Sequence, residues 1–160
     1  MSGKLKITIE RINKNNYHEF NDMVYWRINE VERTTEEKRA SKNECFEDVY
    51  KELDHQGFYV YAAKYQDKYI AWISLMYIPK IGKWHKGMIY IDELWTAPEF
   101  RRKGVAYELM KKAFELQSKT DAISVRLYTH NPVAQKLYEK CGLEVIGEAV
   151  FMEGVYNNDL

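Results

Sequence analysis

The stretch Ile89-Tyr90-Ile91-Asp92-Glu93-Leu94-Trp95-Thr96-Ala97-Pro98-Glu99-Phe100-Arg101-Arg102-Lys103-Gly104-Val105-Ala106 decides how this chain folds. It begins as an apolar strand and turns at three consecutive basic residues followed by a glycine. An amphipathic helix comes next, with Ala106, Leu109, Met110, Ala113 and Phe114 recurring on one face. The first N–H groups of a helix have no partner within it, and the macrodipole adds about half a positive charge at the same end. A strand that opens through a basic, glycine-containing turn into a helix therefore forms a site for an anion, phosphate above all. Between Glu99 and Lys112 five basic residues (Arg101, Arg102, Lys103, Lys111, Lys112) outnumber Glu99 and Glu108.

Upstream of this unit, residues 4–12 alternate, with Leu5, Ile7 and Ile9 on one face, and predict a half-buried strand. Tyr17, Phe20, Val24, Ile28 and Val31 recur at helical spacing, with Asn13 or Asn15 as the cap. A second helix is predicted to start at Thr34-Thr35-Glu36-Glu37, to carry Cys45, Phe46, Val49, Tyr50 and Leu53, and to end near Gly57. Residues 58–65 and 69–78 read as a hairpin around Gln66-Asp67-Lys68, and residues 79–87 as a longer loop. Downstream, residues 124–128 predict a short strand. Asn131 to Cys141 predicts a helix with Pro132 in its first turn and Gly142 at its end, and residues 143–152 a last strand interrupted at Gly147. Three consecutive middle strands imply antiparallel pairing. The strand–helix–strand unit from Met88 to Tyr128 implies a right-handed parallel crossover. The fold class is α/β: a mixed, mostly antiparallel central sheet with one parallel β-α-β unit and helices on both faces.

The chain has 160 residues, and all of them are expected to form a single domain, residues 1–160. Hydrophobic residues make up 46% and charged residues 30%, which argues against disorder. The 24 basic and 24 acidic residues cancel, so nothing general points to nucleic acid or anionic membranes. No stretch approaches the roughly 20 apolar residues of a membrane span, and the first residues have no signal-peptide character. Cys45 and Cys141 read as reduced thiols, and His18, His55, His85 and His130 form no ligand cluster, so no metal is expected. These features suggest a cytoplasmic protein.

The turn Arg101-Arg102-Lys103-Gly104-Val105-Ala106 resembles the R/Q-x-x-G-x-G/A signature of the GNAT superfamily of N-acetyltransferases. Asn131-Pro132-Val133-Ala134, with Leu137-Tyr138-Glu139-Lys140-Cys141-Gly142-Leu143, resembles that family's second signature. Spacing and element order agree over nearly the whole chain. Ala106 replaces the second glycine, and Thr96 stands where the strand often has valine.

The resemblance implies a GNAT-like fold and an N-acetyltransferase that moves an acetyl group from acetyl-coenzyme A to a primary amine. The acceptor is a small molecule or a peptide, attacked without metal or covalent enzyme intermediate. A different reading is a non-catalytic domain that senses acyl-coenzyme A. By the same resemblance, the N–H groups of Arg102, Lys103, Gly104, Val105 and Ala106 hold the cofactor's diphosphate, and a basic side chain among Arg101, Arg102 and Lys103 meets a phosphate. Leu94, Trp95 and Thr96 flank the pantetheine arm through their backbone. Asn131 contacts the cofactor or simply caps its helix. Tyr138 binds at the sulfur of coenzyme A and donates a proton to it.

The base is a carboxylate on the strand, Asp92 or Glu93, with Glu93 favoured. Adjacent strand residues point to opposite faces, so only one is expected to face the acceptor. The acceptor region offers Tyr25, Trp26, Glu30, Glu32, Tyr77, Trp84, His85 and Tyr90, which suit a cationic amine or form an ordinary solvated face. The family habit also implies a homodimer.

Overall fold

The computed structural model of the chain describes residues 4–81 and 86–156. Gly82, Trp84 and His85, read as part of the loop after the hairpin, lie outside them. The elements run β1 (Thr8–Arg11), α1 (Tyr17–Asn29), α2 (Thr35–Ser41), α3 (Glu47–Leu53), β2 (Phe58–Tyr65), β3 (Lys68–Ile78), β4 (Met88–Thr96), α4 (Val105–Thr120), β5 (Val125–Arg126) and α5 (Pro132–Lys140). One sheet holds the strands in the order β1-β2-β3-β4-β5. The first three pairings are antiparallel, and β4 pairs with β5 in parallel. This is the mixed sheet read from the sequence.

Local chemistry sets the element ends. Gln66 and Asp67 both take positive φ, 46° and 66°, which gives a two-residue turn the twist that suits the β2–β3 hairpin. Thr34 closes a capping box: its hydroxyl accepts from Glu37 N while Glu37 accepts from Thr34 N. At the end of α5, Gly142 has φ 97°; Gly142 N donates to Glu139 O and Leu143 N to Tyr138 O, a Schellman closure.

Four elements differ from the sequence reading. The predicted second helix is two, α2 and α3, because the chain bends between Ser41 and Glu47. The first strand pairs only over Thr8–Arg11 and the fifth only over Val125–Arg126. Residues 143–152 form no strand: Val145, Ile146, Val150, Phe151 and Met152 stand exposed. A strand needs a neighbour to pair with, and β5 spends its two paired residues on β4.

Each face of the sheet carries its own core. On one, α4 seals Ile70, Ile73, Leu75 and Ile89 beneath Leu109, Met110 and Ala113, all fully buried. On the other, α1 lays Phe20 and Met23 over Val60, Ala62 and Trp72. Each large side chain so buried contributes about 1.5–3 kcal/mol. Together these cores fix β4, whose residues reach both faces.

Candidate active site

Gly104 is the N-cap of α4 and sits at φ 83°, a conformation that disfavours any residue with a Cβ. Nothing lies within 4 Å of where its Cβ would be. Arg102, just before it, also has positive φ, 61°. The first main-chain donor of the helix to find a main-chain acceptor is Glu108 N, on Gly104 O. The N–H groups of residues 102–107 have no main-chain acceptor among the described residues. The result is an open cradle of amides at the positive end of a helix of 16 residues. Of the basic side chains, Arg101 folds back, its Nε donating to Thr96 O at 2.9 Å. Arg102 is exposed, and Lys103 Nζ lies 5.9 Å from the Phe100 ring.

Between this cradle and the sheet runs a bare backbone edge. β4 meets β5 only at Ile89 and Tyr90, so the stretch 91–96 runs along β3 on one side and, among the described residues, has no strand on the other. Leu94 packs toward the α4-side core. Trp95 turns the other way and packs between Trp72, tilted at 5.2 Å, and Trp26, edge-on at 5.9 Å between ring centroids.

A β-bulge interrupts β4 at the carboxylates. Ser74 is opposite Glu93 and Leu75 is opposite Ile91, so Asp92 has no opposite residue. Ile91 and Leu94 both serve the α4-side core. The two residues between them therefore fall on the α1 side together, against the strict alternation of a regular strand. Asp92 and Glu93 both line one cleft of about 460 Å³, floored by Val60, Trp72 and Ser74 and walled by α1 and α3.

The two carboxylates are not equivalent. Glu93 is bonded by the guanidinium of Arg27, which also lies 5.1 Å over the Trp72 ring. Asp92 has no cationic partner among the described residues. Asp92 stays exposed to solvent; partial desolvation, and then the charge of Glu93, raise its carboxyl above the usual range. Ser74 is 5% exposed, and its Oγ has no hydrogen-bond partner among the described residues.

Tyr138 lies elsewhere. It is half-buried against the α4-side core and lines a second cleft, between β5, α5 and residues 142–152. Burial, then Cys141, pushes its phenol up, so it holds its proton at neutral pH. Asn131 caps α5: its Oδ1 accepts from Val133 N and Ala134 N at 2.9 and 3.4 Å, leaving the amide nitrogen outside the cap. Burial also raises the Cys141 thiol, which keeps it protonated and a poor nucleophile.

None of the described aromatic and acidic residues proposed for the acceptor lines the cleft of Asp92 and Glu93. The Tyr25 hydroxyl donates to Glu37, Trp26 is core and Glu32 meets Lys68 at 3.2 Å. The Tyr77 hydroxyl accepts from Gly87 N, and Tyr90 faces Tyr128. Glu30 ends α1 in the left-handed conformation; Trp84 and His85 are outside the described residues. The cleft is instead built by Arg27, Trp72 and Ser74 with apolar neighbours. Ser74 carried a signal, as the one small polar side chain in the otherwise aliphatic and aromatic run 69–78.

Strand, turn and helix in this geometry match a known family. The chain matches the acetyltransferase (GNAT) family over residues 24–143, and it belongs to that family. The family generally uses acetyl-coenzyme A. No curated protein sequence matches the chain. Solved structures share its fold at low identity. An aminoglycoside acetyltransferase from an uncultured soil metagenomic sample is 18% identical, with TM-score 0.71 over 96% of this chain and all of that one. A ribosomal-protein-alanine N-acetyltransferase from Brucella melitensis is 12% identical, with TM-score 0.68 over 93% of this chain and 99% of that one. A transcriptional regulator from Bacillus halodurans C-125 is 17% identical, with TM-score 0.70 over 93% of this chain and all of that one. Among the described residues no His, Cys, Asp and Glu group is arranged for a metal ion, and no helix is long and apolar enough to cross a membrane.

Proposed function

We propose that the chain, as a single domain spanning residues 1–160, is an N-acetyltransferase that moves an acetyl group from acetyl-coenzyme A to a primary amine. The observation that carries this reading is a pair of open features in one strand–turn–helix unit: the carboxylates at the bulge within β4 and the amide cradle at Gly104, where α4 begins. The cradle fits a pyrophosphate, since its donors are free, its glycine admits close approach and no side chain fills it. Arg102 and Lys103 add positive charge beside it. Leu94, Trp95 and Thr96 offer the backbone edge to the pantetheine arm, and Asn131 offers its amide nitrogen.

Acetyl-coenzyme A supplies a thioester whose carbonyl carbon the amine attacks; the new C–N bond replaces the C–S bond. The protein manages two protons. Asp92 takes one from the amine, which must be neutral to attack. Glu93, already held by Arg27, is the weaker candidate for that step. Tyr138 holds the proton that the departing sulfur takes up. Positioning of both reactants in adjoining slots supplies much of the acceleration. The reading also includes a cytoplasmic homodimer, and a monomeric mass by light scattering contradicts that part.

The test is release of free thiol from acetyl-coenzyme A with a panel of primary amines, alongside calorimetry of coenzyme A binding. Turnover with at least one amine and its loss in Gly104→Glu support the reading. Tight cofactor binding without turnover on any amine contradicts it, and favours an acyl-coenzyme A sensor instead.

A further inference from the structure

We infer that the acceptor is a monoamine on a compact apolar body, and that its amine N–H rests on the Ser74 hydroxyl. This rests on the transferase reading above and names the substrate class of that site. Three observations carry it.

The first is the unsatisfied hydroxyl. Ser74 is 5% exposed and its Oγ has no partner among the described residues, yet it lines the cleft directly opposite Glu93 across the ladder. A buried hydroxyl without a hydrogen bond destabilises a fold, so a ligand atom is its natural partner. The bulge sets Asp92 beside Glu93 on this same side. An amine between Ser74 and Asp92 donates one N–H to the hydroxyl and a second to the carboxylate, and its lone pair is left free.

The second is charge. Glu93 is occupied by Arg27, and Glu52 sits at the rim with its side chain 72% exposed beside His55. Beside Ser74 that leaves one uncommitted carboxylate, Asp92, which pairs with one ammonium.

The third is the wall. Phe20, Val24, Leu53, Val60 and Trp72 present apolar surface. A hydroxyl-rich or polycationic body seated there strands its polar groups without partners, which costs more than the contact returns. A phenyl or short alkyl body matches that surface and fits within the cleft of about 460 Å³.

The experiment compares 2-phenylethylamine and hexylamine with spermidine and sisomicin, by thiol release from acetyl-coenzyme A, in the full chain and in Ser74→Ala. The inference predicts kcat/KM at least about 10-fold higher for the two apolar monoamines. It also predicts that Ser74→Ala lowers their kcat/KM about 10-fold while Tm stays level or rises, because the variant removes an unsatisfied buried hydroxyl. A hydroxyl with a purely structural role gives the opposite pattern, a lower Tm with kcat/KM unchanged. Preference for spermidine or sisomicin overturns this inference and leaves the transferase reading standing. No turnover on any of the four, with coenzyme A bound, overturns the inference, and across a wider panel the transferase reading as well.

Discussion

The two faces of the sheet are finished differently. Against α4 the sheet is sealed: Ile70, Ile73, Leu75, Ile89, Leu109 and Met110 have no solvent exposure. Against α1 it is sealed only part of the way. Phe20, Met23 and Trp72 pack, and then the surface opens into a cleft whose polar side chains include Ser74, Asp92, Glu93 and Arg27. β4 belongs to both faces. Its Ile91 and Leu94 anchor it in the closed core, and the bulge between them turns Asp92 and Glu93 together toward the open one. The sealed face supplies rigidity, and the open face uses that rigidity to hold reactive groups in fixed positions. A strand tied into only one of these environments lacks either the anchor or the site.

The contrast can be broken at several points. The largest expected effect is at the cradle, outside both faces. Gly104→Glu places a side chain at φ 83° and a negative charge where amides point, and calorimetry should find coenzyme A binding abolished. Next is the carboxylate of the open face. Asp92→Asn should lower kcat by about 100-fold or more, as loss of a general base does, with little change in Tm. Tyr138→Phe should lower kcat by a smaller factor, about 10-fold, since water can also protonate the leaving sulfur; unchanged kinetics remove its role as the acid.

Stability separates the faces directly. Leu109→Ala in the sealed core should cost about 2–5 kcal/mol in urea unfolding. Val24→Ala, in the wall of the cleft, should cost about 1 kcal/mol and show itself mainly in the KM for the amine. Equal losses at both positions contradict the claim that the faces differ.

The smallest effect is a displacement in pH. Because the Asp92 carboxyl is held above its ordinary value, the basic form appears only as pH rises past that raised pKa, and kcat/KM climbs with it. Glu93→Gln removes a raising charge and frees Arg27, so the acid limb should move to lower pH. Arg27→Met leaves Glu93 unopposed, so the limb should move to higher pH. Tyr138, also raised, keeps its proton beyond its ordinary value near 10 and gives no alkaline fall below that pH. Shifts of the same sign in both variants contradict the assignment of Asp92 as the titrating base.

How much was legible in the sequence follows from how each site is built. The cradle uses main-chain groups of consecutive residues, so one contiguous pattern, Arg101 to Ala106, reveals it. The same holds for the caps at Thr34, Asn131 and Gly142, each settled within a few residues. The cleft is assembled across α1, α3 and three strands, and no local spacing places Arg27 against Glu93. The bulge was hidden for a related reason. It depends on the register of β4 against β3, and strict alternation predicted that Asp92 and Glu93 would part. The aromatic and acidic residues singled out for the acceptor were those with the right chemistry, but they were already committed: Trp26 to the core, Tyr25 to Glu37, Glu32 to Lys68. Residues 143–152 have strand-forming composition and found no ladder to join.

The most direct test of the account is a crystal structure of the chain with coenzyme A and 2-phenylethylamine bound. The account predicts diphosphate oxygens on the N–H groups of residues 102–106 and the sulfur at the open edge of β4. It also places the amine nitrogen within hydrogen-bond distance of both Asp92 and Ser74 Oγ. A diphosphate bound away from Gly104, or an amine seated outside the cleft at the bulge, contradicts it.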